Sequence, residues 1–342
     1  MAILCADPFG AGAQDAEDPV ALNLQTIQLF GQRKYAEATA LAQQALALAE
    51  RVLGKEHPET LRSVNNLANL YKAQGLYKEA EPLCKRIVEA REHLLGKEHP
   101  DTLTSVMNLG ILYKNEERYG EAEPLLKRAL EAQERILGKE HPDTLRSVYN
   151  LAVLYYAQRH GESEPLFKRA LEAQERVLGE EHPDTIATLN GLALLYESWG
   201  RRDDAEPFFR RALEARERVL GKEHSDTLLS VDNLVNLYKT QAWLHMGQGD
   251  YDKARPLLER ALEVRERVLG KEHSDTLLSV DDLVGFYKAQ GRSTEDEALA
   301  KRLNTTREAP TAETLQLQKA LFGCWEHVRS GDNWGSHLAC FN

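Results

Sequence analysis

Thr60-Leu61-Arg62-Ser63-Val64-Asn65-Asn66-Leu67-Ala68-Asn69-Leu70-Tyr71, a short turn, then Tyr77-Lys78-Glu79-Ala80-Glu81-Pro82-Leu83, is text that this chain repeats almost verbatim. Each copy is introduced by Leu-Gly-(Lys/Glu)-Glu-His. The His falls at positions 57, 99, 141, 182, 224 and 273, giving spacings of 42, 42, 41, 42 and 49 residues. A period in this range marks a solenoid of supersecondary units, none of which buries its apolar face alone.

Each unit reads as two helices. In the first, Leu61, Val64, Leu67, Ala68 and Tyr71 share one face at 3.6 residues per turn. Pro58 suits a first helical position, and Glu59 beside it favours the positive end of the helix dipole. In the second, Ala80, Leu83, Cys84, Ile87 and Leu94 form another apolar stripe, with Pro82 expected in the first turn and Gly96 as the stop. No segment alternates with period 2, so the expected class is all-α.

Composition agrees with a packed, soluble chain. Of 342 residues, 42% are hydrophobic and 28% charged, enough apolar side chain for a core. Lys and Arg number 43 against 54 Asp and Glu, a net charge of −11. No basic excess is left to neutralise phosphates, which argues against nucleic acid as a partner. Nothing approaches 18 consecutive apolar residues, which argues against a membrane span. Four scattered cysteines, Cys5, Cys84, Cys324 and Cys340, fit a reducing compartment. A cytoplasmic location follows, with a secreted or periplasmic one as the alternative, because Ala11-Gly12-Ala13 looks like a small-residue cleavage site.

Leu67-Ala68-x-x-Tyr71, Gly75, Tyr77-x-x-Ala80 and the later small residues Ala129, Ala170, Ala212 and Ala261 resemble a tetratricopeptide repeat. Period alone would also allow HEAT or armadillo units; the paired Leu-Ala-x-x-Tyr and Tyr-x-x-Ala argue against them. The 42-residue length, with Glu-Ala-Glu-Pro-Leu and Gly-Lys-Glu-His-Pro-Asp-Thr, is similar to the kinesin light chain subtype. That resemblance covers residues 19–303, about six full repeats and a degraded seventh. It implies a right-handed superhelix whose first helices line a concave peptide-binding groove. The remainder divides into a leader over 1–18, a linker over 304–310, and a possible capping helix with an irregular tail over 311–342.

Two repeats depart from the pattern. In the fourth, the turn Arg159-His160-Gly161 is one residue short and lacks the aromatic that Tyr77 and Tyr119 supply, so its hairpin should be tight or distorted. In the sixth, Ala242-Trp243-Leu244-His245-Met246-Gly247-Gln248 loosely duplicates the preceding heptad. Seven residues are nearly two turns, so the first helix should lengthen by ~10 Å in phase. Trp243 and Met246 would then be exposed at an edge, a possible partner contact.

Catalytic and metal motifs are scarce. Every Gly-Lys is followed by Glu, not Ser or Thr, so there is no Walker A loop; Gly-x-Ser-x-Gly, His-Glu-x-x-His and Gly-x-Gly-x-x-Gly are also missing. The six recurring His invite a metal, but two helices of ~8–10 Å per unit would set them about 20 Å apart, too far for ~2 Å zinc bonds. Packing of each His on a neighbouring backbone is the expectation. The tail offers Cys324-x-x-His327 and His337-x-x-Cys340, four zinc-competent side chains whose spacing matches no known finger. No cofactor is implied.

The remaining candidate site is the groove. Positions about 75–165° from the first-helix stripe hold Arg62, Asn65, Asn66, Asn69 and Lys72, then Asn108 and Lys114, then Arg146, Tyr149 and Asn150. Asn190, Asp232, Asn233 and Asn236 continue the series. Amides at Asn66, Asn108, Asn150 and Asn233 carry both donor and acceptor; they suit either an extended peptide backbone or the neighbouring helix pair. Basic groups gather in repeats 2–4, and acids follow from Glu197 onward. The expected function is therefore a non-catalytic protein–protein interaction scaffold, taking an extended, acidic peptide or a partner helix in its groove. The rival reading is the sensor arm of a signalling enzyme, NTPase or caspase-like protease, whose catalytic part lies on another chain or is missing.

Overall fold

The computed structural model describes residues 18–292 together with Leu299. They form thirteen α-helices, without a strand among the described residues. The pairs are α1 (Pro19–Gly31) and α2 (Tyr35–Leu53), α3 (Pro58–Ala73) and α4 (Tyr77–Leu95), α5 (Pro100–Asn115) and α6 (Tyr119–Ile136). They continue with α7 (Pro142–Ala157) and α8 (Ser163–Val177), α9 (Pro183–Ser198) and α10 (Arg202–Leu220), α11 (Ser225–Gly247) and α12 (Tyr251–Leu269), and α13 (Ser274–Ala289). The linker 304–310, the capping helix and tail over 311–342, and with them Cys324, His327, His337 and Cys340, lie outside the described residues. So does the leader up to residue 17. The chain divides into two compact lobes between Ala215 and Arg216.

The recurring histidines start the first helices. His57 Nδ1 accepts a hydrogen bond from the Glu59 N–H at 3.2 Å. His99, His141, His182, His224 and His273 do the same with the N–H two residues on, again at 3.2 Å. Each is an N-cap, satisfying a donor the helix itself cannot. The expectation of a histidine lying on its neighbour's backbone is thus corrected: the partner is its own helix. Gly96, at φ 93°, ends α4 in a conformation closed to side chains.

Pro82 is the sixth residue of α4, not part of its first turn as the sequence suggested. It withdraws the N–H that would meet the Lys78 carbonyl, at a residue that is exposed. In repeat 4 the short turn has a different outcome. Helix α8 begins only at Ser163, which puts Pro165 in its first turn. Arg159 closes the hairpin at φ 56°, and His160 lays its ring 5.2 Å from Tyr155.

Within the first lobe each helix packs on the next from α1 to α9, and alternate helices touch as well, α1 on α3, α5 on α7, α7 on α9. Asn66 Nδ2 donates to Asn23 Oδ1 at 3.2 Å across two first helices. Equivalent first-helix residues are therefore one helix diameter apart, ~10 Å, not the 20 Å reckoned from two helices per unit. The core along this stack is small on the second helices, with Ala38, Ala80 and Ala122 fully buried, and larger at Leu126 and Phe167. In the second lobe α12 packs between α11 and α13.

Polar clasps join the repeats. Arg86 donates to Glu50 and to the Lys55 carbonyl, and Arg128 to Glu92 and the Lys97 carbonyl. On the other edge Tyr113 Oη donates to Glu81 Oε1 at 3.0 Å while Arg118 Nη1 donates to Oε2 at 2.7 Å. The Arg118 guanidinium also lies 4.2 Å from the centre of the Tyr113 ring. Repeat 5 rebuilds this with Tyr196, Arg201 and Glu164.

The Arg118 bonds first, then Lys85, hold the Glu81 carboxyl down to about 2 against its ordinary 4.5. A depressed carboxyl gives stability that is present above pH 4.5 and lost as pH falls toward 2. Solvent screening at this edge keeps the contribution to about 1 kcal/mol. Glu81→Gln is expected to lower stability at pH 7 and to flatten its pH dependence between 4.5 and 2, as read by urea unfolding. A wild-type slope retained in that window would show that other carboxylates carry it.

A candidate peptide-binding surface

Every first helix of the first lobe presents the same sequence positions, so one register repeats along its stack. Asn65, Asn66, Asn69, Asn108, Tyr149, Asn150 and Asn190 are all half-buried there. Some of the amide ladder is already engaged between repeats. Asn66 bonds to Asn23, which in turn donates to Ser63 Oγ at 2.9 Å. Asn150 Nδ2 donates to the Arg146 carbonyl at 2.9 Å and approaches Met107 Sδ at 3.4 Å.

The basic residues fall into two kinds. Arg62 and Arg146 are 51% and 43% exposed, and each bonds an acid one turn back on its own helix, Glu59 and Asp143. Lys72 and Lys114 are half-buried and have no ion-pair partner among the described residues. Burial holds both ammonium groups below the usual lysine range; for Lys72 the Cys84 thiol opposes this. The same register continues as Tyr156 and Glu197. Burial lifts the Glu197 carboxyl above the ordinary carboxylate range, with Arg202 opposing. It also raises the Tyr156 phenol, an effect to which Glu197 adds.

The second lobe is electrostatically quieter than its sequence suggested. Asp232 accepts from Arg265 Nη2 at 3.2 Å, and Asp282 pairs with Lys239 at 2.8 Å. Asn236 is exposed, and Asn233 half-buried. Helix α11 runs to 23 residues against 16 in α13, the heptad being helical up to Gly247 with Gln248 as the C-cap. Trp243 is 38% exposed beneath the Lys239 ammonium, which lies 5.2 Å from its ring. Met246 differs from expectation: it is half-buried against a cluster of Ala242, Ala254, Leu258 and Phe286, and Leu244 and Tyr251 are the exposed apolar neighbours instead.

A cavity of ≈ 420 Å³ opens where repeat 4 lost its aromatic, lined by Leu130, Leu151, Tyr155, Pro165 and Leu166 with Lys127, Glu131, Glu162 and Arg169. No group of three or more potential metal ligands occurs among the described residues, and no described helix is long and apolar enough to cross a membrane.

Two family models, both described as tetratricopeptide repeat, match residues 29–59, 60–101, 105–173, 153–218 and 242–275, well over half of the chain. The chain is a tetratricopeptide repeat protein. Its repeats are of the kinesin light chain-like subtype. A kinesin light chain-type protein of Podosopora anserina with nearly identical TPR-like repeats is 29% identical, over 59% of this chain and 97% of that one, at a TM-score of 0.50. BtubC (BKLC) of P. vanneervenii is 25% identical over 70% of this chain and 92% of its own, with a TM-score of 0.53. The apo form of RapI, 13% identical over 84% and 96%, shares the fold at 0.53. No curated protein matches. A tetratricopeptide array is a protein–protein interaction scaffold, and that is the function this membership carries.

The Tyr–Glu–Arg clasp and the histidine caps were missed in the sequence. Their signals were present: a Tyr 32 residues after a Glu in three successive repeats, and a His always two residues before an acid.

Proposed function

We propose that this chain is a non-catalytic scaffold whose first lobe captures an extended acidic peptide along its first helices. The observation that supports it is the pair Lys72 and Lys114, cations half-removed from water with no carboxylate bonded to them. A buried charge left unpaired is costly, and a ligand carboxylate at that position relieves the cost while making a charge-assisted bond of roughly 1.5–3 kcal/mol. Arg62 and Arg146, which the sequence put beside the two lysines in this role, are already neutralised by Glu59 and Asp143 and contribute mainly to steering. Cys84, a buried free thiol, suits a reducing, cytoplasmic setting. The exposed Trp243, Leu244 and Tyr251 form a second contact surface on the other lobe.

Fluorescence anisotropy with a short Glu-rich peptide tests the reading. Lys72→Gln with Lys114→Gln is expected to weaken binding tenfold or more, and Arg62→Gln with Arg146→Gln by less than threefold at moderate salt. Circular dichroism should show helicity unchanged in both. Equal binding by wild type and the lysine pair would place the ligand elsewhere, with Trp243 the next surface to probe.

A further inference from the structure

The register that holds Lys72 and Lys114 does not stay basic. It runs Lys72, Lys114, Tyr156, Glu197 over four consecutive repeats, on α3, α5, α7 and α9, all inside the first lobe and all half-buried. Three residues earlier on the same helices, and so on the same face, stand Asn69, Ile111, Val153 and Leu194, also half-buried. The face therefore has a cationic end, an apolar middle and an anionic end. Tyr156 and Glu197 hold this register on adjacent first helices, and the Glu197 carboxylate adds to the rise of the phenol. Burial raises the Glu197 carboxyl, and Arg202 opposes that rise. The sequence alone counted Glu197 as the first of the acids that follow the basic repeats.

We infer that the first lobe selects a peptide with charge at both ends of the bound stretch: carboxylates on Lys72 and Lys114, apolar side chains over Ile111, Val153 and Leu194, and a basic side chain on Glu197. This rests on the peptide-binding reading above and adds its polarity. Spacing follows from helix packing. Successive first helices are ~10 Å apart, so Lys114 and Glu197 are separated by ~20 Å. An extended chain advances about 3.3–3.6 Å per residue, which puts the ligand's acid and base about six residues apart. Opposite charges on the groove also reject the reversed arrangement, since each end of a reversed peptide meets a like charge.

The test uses the full chain and two labelled peptides of equal composition, measured by anisotropy in both N-to-C orders. One has two Glu and one Lys separated by about six residues with Val and Leu between; the other has the Glu and Lys adjacent. The spaced peptide in one order should bind at least fivefold more tightly than the adjacent one. Replacing its Lys by Gln should cost about the same factor on the wild type and nothing on Glu197→Gln. Glu197→Lys should prefer a peptide with Glu in place of that Lys. If the spaced and adjacent peptides bind equally, or Glu197→Gln leaves the peptide Lys as important as before, the polarity is overturned while the Lys72 and Lys114 dependence keeps the peptide-binding reading. If neither peptide responds to Lys72→Gln with Lys114→Gln, or neither binds, both fall.

Discussion

Phe167→Ala is expected to remove about 3–5 kcal/mol of stability, and Gly191→Asn about 1–3 kcal/mol. Phe167 is fully buried on α8 and meets Tyr149 edge-on at 5.9 Å between ring centres. It stands one repeat on from Leu126 and is larger. The room comes from the next first helix. Gly191 occupies the register that holds Asn66, Asn108 and Asn150 in earlier repeats. A Cβ built on Gly191 would lie 2.7 Å from Phe167 Cε1, closer than side chains tolerate, and a tight 3.1 Å from Cζ. The amide ladder is interrupted there because the ring fills its place. Restoring the amide should force the ring from its rotamer, whereas Gly191→Asn together with Phe167→Leu should recover most of the loss. A double-mutant cycle by urea unfolding measures the coupling, expected above 1 kcal/mol. Additive costs would show that the glycine is there for another reason.

The second large effect concerns the caps. His57→Ala, His99→Ala and His141→Ala combined should cost about 3 kcal/mol, from about 1 kcal/mol for each lost N-cap. The three histidine side chains accept from the N–H of Glu59, Asp101 and Asp143, at 3.2 Å each, and start separate helices, so the costs should add. The triple Asn variant keeps an acceptor at every cap and should stay within about 1 kcal/mol of wild type. Thermal unfolding followed by circular dichroism separates the two. A neutral Ala triple would mean that Pro58, Pro100 and Pro142 already fix the helix starts.

The repeat, the helix pairs and the lengthened α11 were legible because each follows from periodicity along a single helix. The heptad of α11 kept its phase, and so its buried face at Ala242, because seven residues nearly equal two turns. What the sequence could not provide was distance between chain-remote residues. Two helices per repeat suggested a wide spacing, but Asn66 reaching Asn23 shows that first helices lie directly side by side. Angle alone grouped the candidate-site residues on one helix face; it could not supply their partners. Arg62 and Lys72 look interchangeable as letters, yet one is bonded to Glu59 in the open and the other is half-submerged without an acid. Met246 turned inward for a similar reason, because α12 and α13 supply apolar cover that no single-helix projection contains.

The clasps between repeats have a bearing on how the chain comes to be folded at all. Arg86 to Lys55, Arg118 to Glu81 and Arg135 to Glu98 close loops of 31, 37 and 37 residues. A bond of that reach is complete once the next hairpin has been made, whatever the rest of the chain is doing. Loop-closure entropy is correspondingly small, and structure can spread from any hairpin to its neighbour without waiting for a distant partner. On the ribosome, where residues emerge at roughly 5–20 per second, each new hairpin can dock on the one before it within seconds of synthesis. Apolar faces that no repeat can bury alone are then uncovered only at the growing end.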